Sequence, residues 1–347
     1  MKTAIDNLLE RPHEGSLIYT AKDFKPNVDV RWCAGCGAIS VLSPSQRLMP
    51  ELGLPKEKIV YVSGIGCSGR FPYYMETYGF HSIHGRALAI ASGLKIARPD
   101  LSVWVVTGDG DNMSIGGNHF IHTCRRNVDL NIMMFNNEVY SLTKGQYSPT
   151  SHRGQVTKSS PLGVLDDPFN PVGLALGAGA SFVARGHDKD RTQLQELLRR
   201  AYNHKGTSFV EIYTNCRIFN DGAFDLYTNA DTRDEHTIFL EHEKPLVFGK
   251  KKDKGIILDG YTPKVVSLDT YSISDLLVHN EKDSTLAFIL ANMTYSETLP
   301  RPMGVLQALP IKPYDVRVTE QIQHEIETKG EGNLESLLAG GSSWAIN

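Results

Sequence analysis

The stretch at 108–143 constrains this chain more than any other, because it sets a carboxylate and an amide at two successive strand ends. It opens GDGDNMSIGG and closes NNEVYSLT. A short apolar, β-branched run at 103–107 precedes it and reads as a buried strand ending where the glycines begin. Residues 115–126 have the length and period of a helix, and 130–135 form a second apolar run that ends at Asn136-Asn137. Asp109 and Asn137 therefore lie at the carboxyl ends of two strands joined by a helix, the edge at which open parallel sheets bind ligands. Such a pair suits Mg²⁺, which takes oxygen ligands in a tight octahedron and commonly shares them with a phosphate. Gly108 and Gly110 let the backbone approach a diphosphate closely, and a helix that follows would point N–H groups at the anion. The competing reading is a plain strand-to-helix turn. The Asn-Asn at the next strand end weighs against it.

The flanking segments fit a sheet of that kind. Runs at 59–63, 181–185 and 209–213 read as further strands, and 38–49, 85–97, 167–179 and 191–204 as helices. Strands alternating with helices from 59 to 214 predict an α/β fold on a doubly wound parallel sheet. Pro44 should bend or shorten its helix. The helix at 85–97 is apolar on every side, which predicts burial all round. The expected organisation is an N-terminal arm over 1–28, a core domain over 29–225 and an irregular C-terminal extension over 226–347. In that extension 273–280 reads as a helix, 300–310 carries three prolines, KKKDK at 250–254 reads as a solvated patch, and the tail at 330–347 as a segment that packs on a partner. With 41% hydrophobic residues the chain can bury a large core, and a net charge of -3 gives no field for nucleic acid. No run is long enough to span a membrane, and residues 1–15 lack a hydrophobic signal core, so a cytoplasmic protein with no membrane partner is expected.

The chain has five cysteines. Cys33 and Cys36 form a Cys-x-x-Cys, which in a reducing compartment is a redox or metal motif more often than a disulfide. Three readings compete. A thioredoxin-like dithiol would follow a strand, but polar loop precedes Trp32. A zinc site would want a second close pair of Cys or His. An iron-sulfur cluster takes four thiolates, which can come from distant segments. Cys67 stands between glycines at a strand end, where its sulfur would be exposed, and Cys216 follows the last strand of the core. Cys124, inside a helix, reads as a small buried hydrophobe. His81 and His84 read first as loop histidines making polar contacts. Lys144 is either a solvated lysine or an ammonium holding a substrate carboxylate.

The GDG followed by NN resembles the thiamine diphosphate motif of thiamine-dependent enzymes. That resemblance implies Mg²⁺ bound by Asp109, the Asn137 side chain and the Val139 carbonyl, with Gly108, Gly110, Asp111, Ser141 and Leu142 around the diphosphate. Over residues 30 to 225 the motifs WCAGCG, GIGCSGR, HSIHGRA, GDGDNMSIGGNH, NNEVYSLTKGQYSPTS and NCRIFNDGAF, in order and spacing, resemble the beta subunit of 2-oxoacid:ferredoxin oxidoreductases. The family resemblance implies one 4Fe-4S cluster on Cys33, Cys36, Cys67 and Cys216. It places Ile65, Gly66, Cys67, Ser68 and His84 against thiamine diphosphate, with His84 and Lys144 in catalytic roles and Lys144 on the substrate carboxylate. Ala34 stands where the family usually has proline, between ligands and not at one.

The implied reaction is oxidative decarboxylation of a 2-oxoacid, with electrons leaving singly to ferredoxin and the acyl group passing to coenzyme A; run in reverse it would fix CO₂. The TKGQxSPTS and FNDGAF wording is most like enzymes acting on 2-oxoglutarate, with pyruvate or a broad range of 2-oxoacids as the alternative. An alpha subunit is implied to supply the pyrimidine half of the thiamine site, and the basic patch at 250–254 could then steer an acidic ferredoxin. Two other classes remain open here, a non-oxidative thiamine-dependent lyase and a non-catalytic iron-sulfur subunit.

Overall fold

The computed structural model describes residues 19–341 and Trp344. Residues 1–18, most of the expected N-terminal arm, lie outside the described residues, as do 342, 343 and 345–347 of the tail. What is described of the arm is anchored: a single turn, Ala21–Phe24, is closed by a Thr20–Asp23 capping box and buries Phe24.

Among the described residues one sheet has eight strands. In chain order they are β1 (Ile59–Ser63), β2 (Tyr78–His81), β3 (Ser102–Gly108), β4 (Asn131–Asn136), β5 (Phe182–His187), β6 (Ser208–Tyr213), β7 (Thr237–Leu240) and β11 (Arg301–Ala308). They lie in the order β2-β1-β3-β4-β6-β5-β11-β7. All neighbours are parallel except β11 against β5. The central strands are buried along their length, save Gly108 at the end of β3, as largely apolar runs should be when helices cover both faces. Their side chains alternate between two cores. Val60, Val62, Val103, Val105, Ile132 and Met134 face one, packed by Ala87–Ala97, Gly117–Arg126, Pro171–Gly177 and Ser284–Asn292. Tyr61, Trp104, Val106, Met133, Phe135 and Ile212 face the other, packed by Gly37–Leu48 and Arg191–Asn203. Helices on both faces of a mostly parallel sheet make the fold the expected doubly wound α/β type.

Several elements differ from the sequence reading. The helix expected over 115–126 is two, Asp109–Met113 and Gly117–Arg126, broken at Ser114. The first opens at the strand end, so Asp109 and Asp111 both sit in its first turn. The helix expected from 167 starts at Pro171, because the Asn170 side chain accepts the Gly173 N–H and Pro171 occupies the first position. Pro44 does not stop its helix, which runs to Leu48 and continues as a 3₁₀ turn to Leu52, with the proline buried. Ala87–Ala97 buries only one face; Ala89, Ile90 and Gly93 are exposed. The helix expected over 273–280 is one 3₁₀ turn, Ile273–Asp275.

The extension expected to be irregular is regular and joined to the core. It supplies β7 and β11 to the main sheet and a small antiparallel sheet of β8 (Val247–Phe248), β9 (Lys254–Asp259) and β10 (Thr262–Ser267). The proline-bearing 300–310 segment contains β11, with Pro302 inside the strand and Pro300 and Pro310 flanking it. Pro302 precedes Gly304, the first residue paired with β5, so its missing N–H takes no bond from that ladder. Among the described residues no helix is long and apolar enough to cross a membrane.

A buried ion pair fastens this extension to the sheet. Arg185 and Glu211 meet at 2.7 Å with both side chains out of water. Arg185 also donates to the Pro302 carbonyl at 3.2 Å and the Thr294 hydroxyl at 3.0 Å. Asn136 donates to the other Glu211 oxygen at 2.8 Å. Removing one partner of such a pair leaves a buried, uncompensated charge. Glu211→Ala should cost about 3–5 kcal/mol in urea unfolding; a loss below about 1 kcal/mol would contradict the pairing.

Candidate active site

The carboxyl ends of β1, β3, β4 and β6 open onto one cavity of about 300 Å³. Every residue singled out above for a cofactor, metal or catalytic role lines it, from Cys33 and Cys36 through His84 and Asp109 to Lys144 and Cys216. Cys124 and the 250–254 patch do not; Cys124 lies in the apolar core as expected, and Lys254 is paired with Glu235 at 2.6 Å.

Asp109 is 3% exposed, and its Oδ2 accepts hydroxyls from Ser148 and Thr150, each at 2.6 Å. Burial nevertheless pushes its carboxyl up to about 6, against those donors. A carboxylate in that position is costly to keep charged, and a bound cation would offset the cost. Asn137 lies opposite. Its amide donates to the Ser141 hydroxyl at 3.1 Å, its Oδ1 accepts the Val139 N–H at 3.3 Å, and its carbonyl accepts from Asn220 at 3.0 Å. Glu138 between them has φ 55°, an uncommon conformation for a residue with a side chain. Asp109, Asn137 and Val139 line the same cavity and offer oxygen atoms of the kind Mg²⁺ accepts.

Gly110 has no room for a side chain: a Cβ there would run into the Tyr140 ring, whose hydroxyl donates to the Gly110 carbonyl at 2.9 Å. Asp111 is a strut. Its Oδ1 accepts the N–H groups of Ile65 at 3.1 Å and Gly85 at 2.7 Å, and its Oδ2 the Thr107 hydroxyl at 2.7 Å. One carboxylate thus joins β3 to the Gly64 and His84 loops, and Gly64 is needed because a Cβ there would overlap the carboxylate. Gly64→Ala should lower stability by about 1–3 kcal/mol through overpacking. An unchanged unfolding midpoint would refute that reading. His84 Nδ1 is 3.3 Å from Asp111 Oδ1 but makes no hydrogen bond, since that oxygen is already taken.

None of the five cysteines forms a disulfide. Burial pushes the Cys36 thiol up to about 12, and Cys67, Cys216 and Cys33 push it the same way, so the four sulfurs feel one another. Burial also raises Cys67, opposed by the Ser141 side chain hydrogen-bonded to its thiol. Such thiols ionise together only beside a cationic centre. Among the described residues no three His, Cys, Asp or Glu side chains gather closely enough for a single metal ion. Cys33, Cys36, Cys67 and Cys216 line the one cavity. Trp32, whose indole donates to the Cys67 carbonyl at 2.7 Å, ties the Cys-x-x-Cys loop to the Cys67 loop.

Sequence reasoning missed other parts of the site. Ser148 and Thr150 lie in the NNEVYSLTKGQYSPTS motif, which gave neither of them a role. Arg31, Arg70 and Arg217 join Lys144 in lining the cavity. Lys144 itself is exposed at φ 77°. Asn220 and Tyr140 are within the quoted motifs, but no spacing argument gave them partners.

Residues 64–212 match the family described as thiamine pyrophosphate enzyme, C-terminal TPP binding domain. The chain is 48% identical over 330 residues to the 2-oxoglutarate oxidoreductase subunit KorB of Mycobacterium tuberculosis, covering 94% of this chain and 88% of that one. It is 46% identical over 192 residues to the 2-oxoacid:ferredoxin oxidoreductase subunit beta of Saccharolobus solfataricus, a match spanning 55% of this chain and 63% of its relative. Among solved structures, the 2-oxoglutarate:ferredoxin oxidoreductase from Magnetococcus marinus with 2-oxoglutarate, coenzyme A and succinyl-CoA bound is similar with TM-score 0.75 and 30% identity, covering 94% of this chain and 97% of that chain.

Proposed function

The chain belongs to the beta subunits of 2-oxoacid:ferredoxin oxidoreductases, and on that premise we propose how its residues divide the work. It is the beta subunit of a thiamine diphosphate-dependent oxidoreductase that converts 2-oxoglutarate and coenzyme A into succinyl-CoA and CO₂. Two electrons and a proton are released per turnover. One observation carries the assignment of roles: four unpaired thiols and the Asp109–Asn137 oxygen pair line the same cavity.

Thiamine diphosphate supplies a nucleophilic carbon for the ketone and a sink for the charge left as CO₂ departs. In our reading Asp109, the Asn137 side chain and the Val139 carbonyl hold Mg²⁺, and Gly108 and Gly110 admit the diphosphate. Cys33, Cys36, Cys67 and Cys216 hold a 4Fe-4S cluster, which takes up electrons one at a time. Ser141 touches both sets, through the Cys67 thiol and the Asn137 amide, so the two groups would be held at a fixed separation. Arg31, Arg70, Lys144 and Arg217 place positive charge about the cavity, which favours the anionic 2-oxoacid and coenzyme A. Lys144 is the residue we assign to the substrate carboxylate.

The matched thiamine unit is the C-terminal one, which supports an alpha subunit supplying the other half of the cofactor site. Ile83 and Ile115, 74% and 53% exposed beside the His84 loop, offer apolar surface for it. The test is anaerobic co-purification with that subunit, followed by coenzyme A-dependent dye reduction on 2-oxoglutarate, 2-oxobutyrate and pyruvate. Preference for 2-oxoglutarate and inactivity of the isolated chain are expected. A pyruvate preference would overturn the substrate assignment, and turnover by the chain alone would overturn the need for a partner.

A further inference from the structure

The Ser148-Pro149-Thr150-Ser151 turn lies across the loops that carry the Asp109 and Asn137 donors, and none of its residues is a candidate ligand. We propose that Ser148 and Thr150 are positioning residues, a two-hydroxyl clamp on Asp109 Oδ2 that turns the carboxylate's other oxygen toward the divalent cation. The inference rests on the reading of Asp109 as a cation ligand.

Proton counting sets the direction of the bonds. Each hydroxyl has one proton to give. Ser148 Oγ lies 2.6 Å from Asp109 Oδ2 and 3.1 Å from Thr150 Oγ1. Thr150 Oγ1 lies 2.6 Å from the same Oδ2 and 3.0 Å from Asn136 Oδ1. That Asn136 oxygen already accepts the Glu138 N–H at 3.2 Å, and the Asn136 amide nitrogen is committed to Glu211 at 2.8 Å. The shorter, charged acceptor therefore takes both hydroxyl protons. Two donors on one oxygen fix the plane of the carboxylate. Neither hydroxyl bonds Oδ1, which is left to the cation, and the Gly110 N–H is a third donor to the carboxylate.

The same turn also grips the other side of the site. Ser151 Oγ donates at 2.7 Å to the carbonyl of Glu138, the residue between Asn137 and Val139. It also accepts the Ser148 N–H at 2.9 Å, while the Ser151 N–H bonds the Ser148 carbonyl at 3.0 Å. Pro149 fixes the backbone between the two clamp residues. Ser148, Thr150 and Ser151 are each 1% exposed. The turn is thus a rigid, dry clip that sets the Asp109 carboxylate against the strained Glu138 peptide, and it rests on the Asn136–Glu211–Arg185 chain below. Hydroxyls so deeply buried on a carboxylate serve orientation more than packing, since an apolar side chain of the same shape would fill the space.

The experiment uses the assembled alpha–beta complex, freed of divalent cation and saturated with thiamine diphosphate, titrated calorimetrically with Mg²⁺. Thr150→Val keeps the shape and removes the hydroxyl, and Ser148→Ala removes the other donor. Each should weaken Mg²⁺ binding about 10–100-fold, the usual effect of losing a ligand's hydrogen-bond partner. Thr150→Ser should restore affinity, and iron content should stay at the parental level throughout. Mg²⁺ affinity within twofold of the parent in Thr150→Val and Ser148→Ala would overturn the clamp, as would failure of Thr150→Ser to rescue. If Thr150→Val does not fold, Ser148→Ala carries the measurement, and failure of both to fold would overturn positioning in favour of a structural turn. Asp109→Ala separates the two claims: unchanged Mg²⁺ affinity there sinks the ligand reading, whereas its loss beside unaffected clamp variants sinks the clamp alone.

Discussion

Cys216→Ala, expressed with the alpha subunit and purified without oxygen, should lose the brown colour of the parent and its capacity to reduce a one-electron dye. The parent should carry about four irons per heterodimer and the variant less than about one. Cys67→Ala should behave alike, for the same reason. Both residues lie where strands of the main sheet end, and the thiols of Cys33, Cys36, Cys67 and Cys216 act electrostatically on one another. In the proposed assignment, removing one thiolate would leave the cluster a ligand short. Cys124→Ala is the control: its sulfur packs in the apolar core on the helix Gly117–Arg126, and that variant should keep its iron. Parental iron in Cys216→Ala, or iron loss in Cys124→Ala, would remove Cys216 from the ligand set. The substitution should also disturb the cation side. Asn220 bonds back to the Cys216 carbonyl at 3.0 Å and donates its amide to the Asn137 carbonyl at 3.0 Å, so the two loops move as one.

What could be read in the sequence was whatever repeats at the period of its element. β1, β3 and β4 are mainly apolar runs whose alternation into two cores follows from the period of two, whereas β2, Tyr78–His81, is exposed throughout and carries no such run. Cys33, Cys36, Cys67 and the GDG and NN motifs stood out as chemistry because of their setting, paired or between glycines at strand ends, whereas Cys124 in a helix reads as packing. β11 was illegible for a physical reason. Arg301, Pro302, Gly304 and Gln307 spoil any strand pattern, and they are tolerated only because distant groups satisfy them. Arg301 bonds Tyr213 and Tyr227, and the Gln307 amide donates to the Ala180 carbonyl at 2.8 Å. Ala87–Ala97 misled in the opposite sense, because an all-apolar helix cannot say whether its outer face meets this chain or another. At the site itself, the motifs pointed to candidate donors but not to what aims them. The Asp111 carboxylate is occupied by Ile65, Gly85 and Thr107, partners that only the folded loops bring together.

Asp109→Ala should weaken thiamine diphosphate binding in the presence of Mg²⁺ by at least roughly 100-fold, beyond the range for residues that merely support a ligand. Fluorescence quenching on cofactor addition would measure it. Cofactor affinity within about threefold of the parent would show that Asp109 holds no cation. The pH dependence gives a second handle, and its sign is unusual for a carboxylate. Burial pushes the Asp109 carboxyl up to about 6 in the folded chain, against an ordinary value of 3.8. Without cation, the native state therefore binds more protons than the unfolded one between those values, and stability falls as pH rises through the window, by about 3 kcal/mol across it. With Mg²⁺ bound the ionised form is the one required. Cation affinity should then fall about tenfold for each pH unit below 6, since a proton competes for the same oxygens. Asp109→Asn should flatten both profiles while keeping the side-chain shape. A parental pH profile for Mg²⁺ binding in Asp109→Asn would mean that another group titrates in its place. The opposed signs follow from one arrangement: the chain keeps a carboxylate dry with two hydroxyls and a peptide N–H, an environment in which its charge is stable only when a cation shares it.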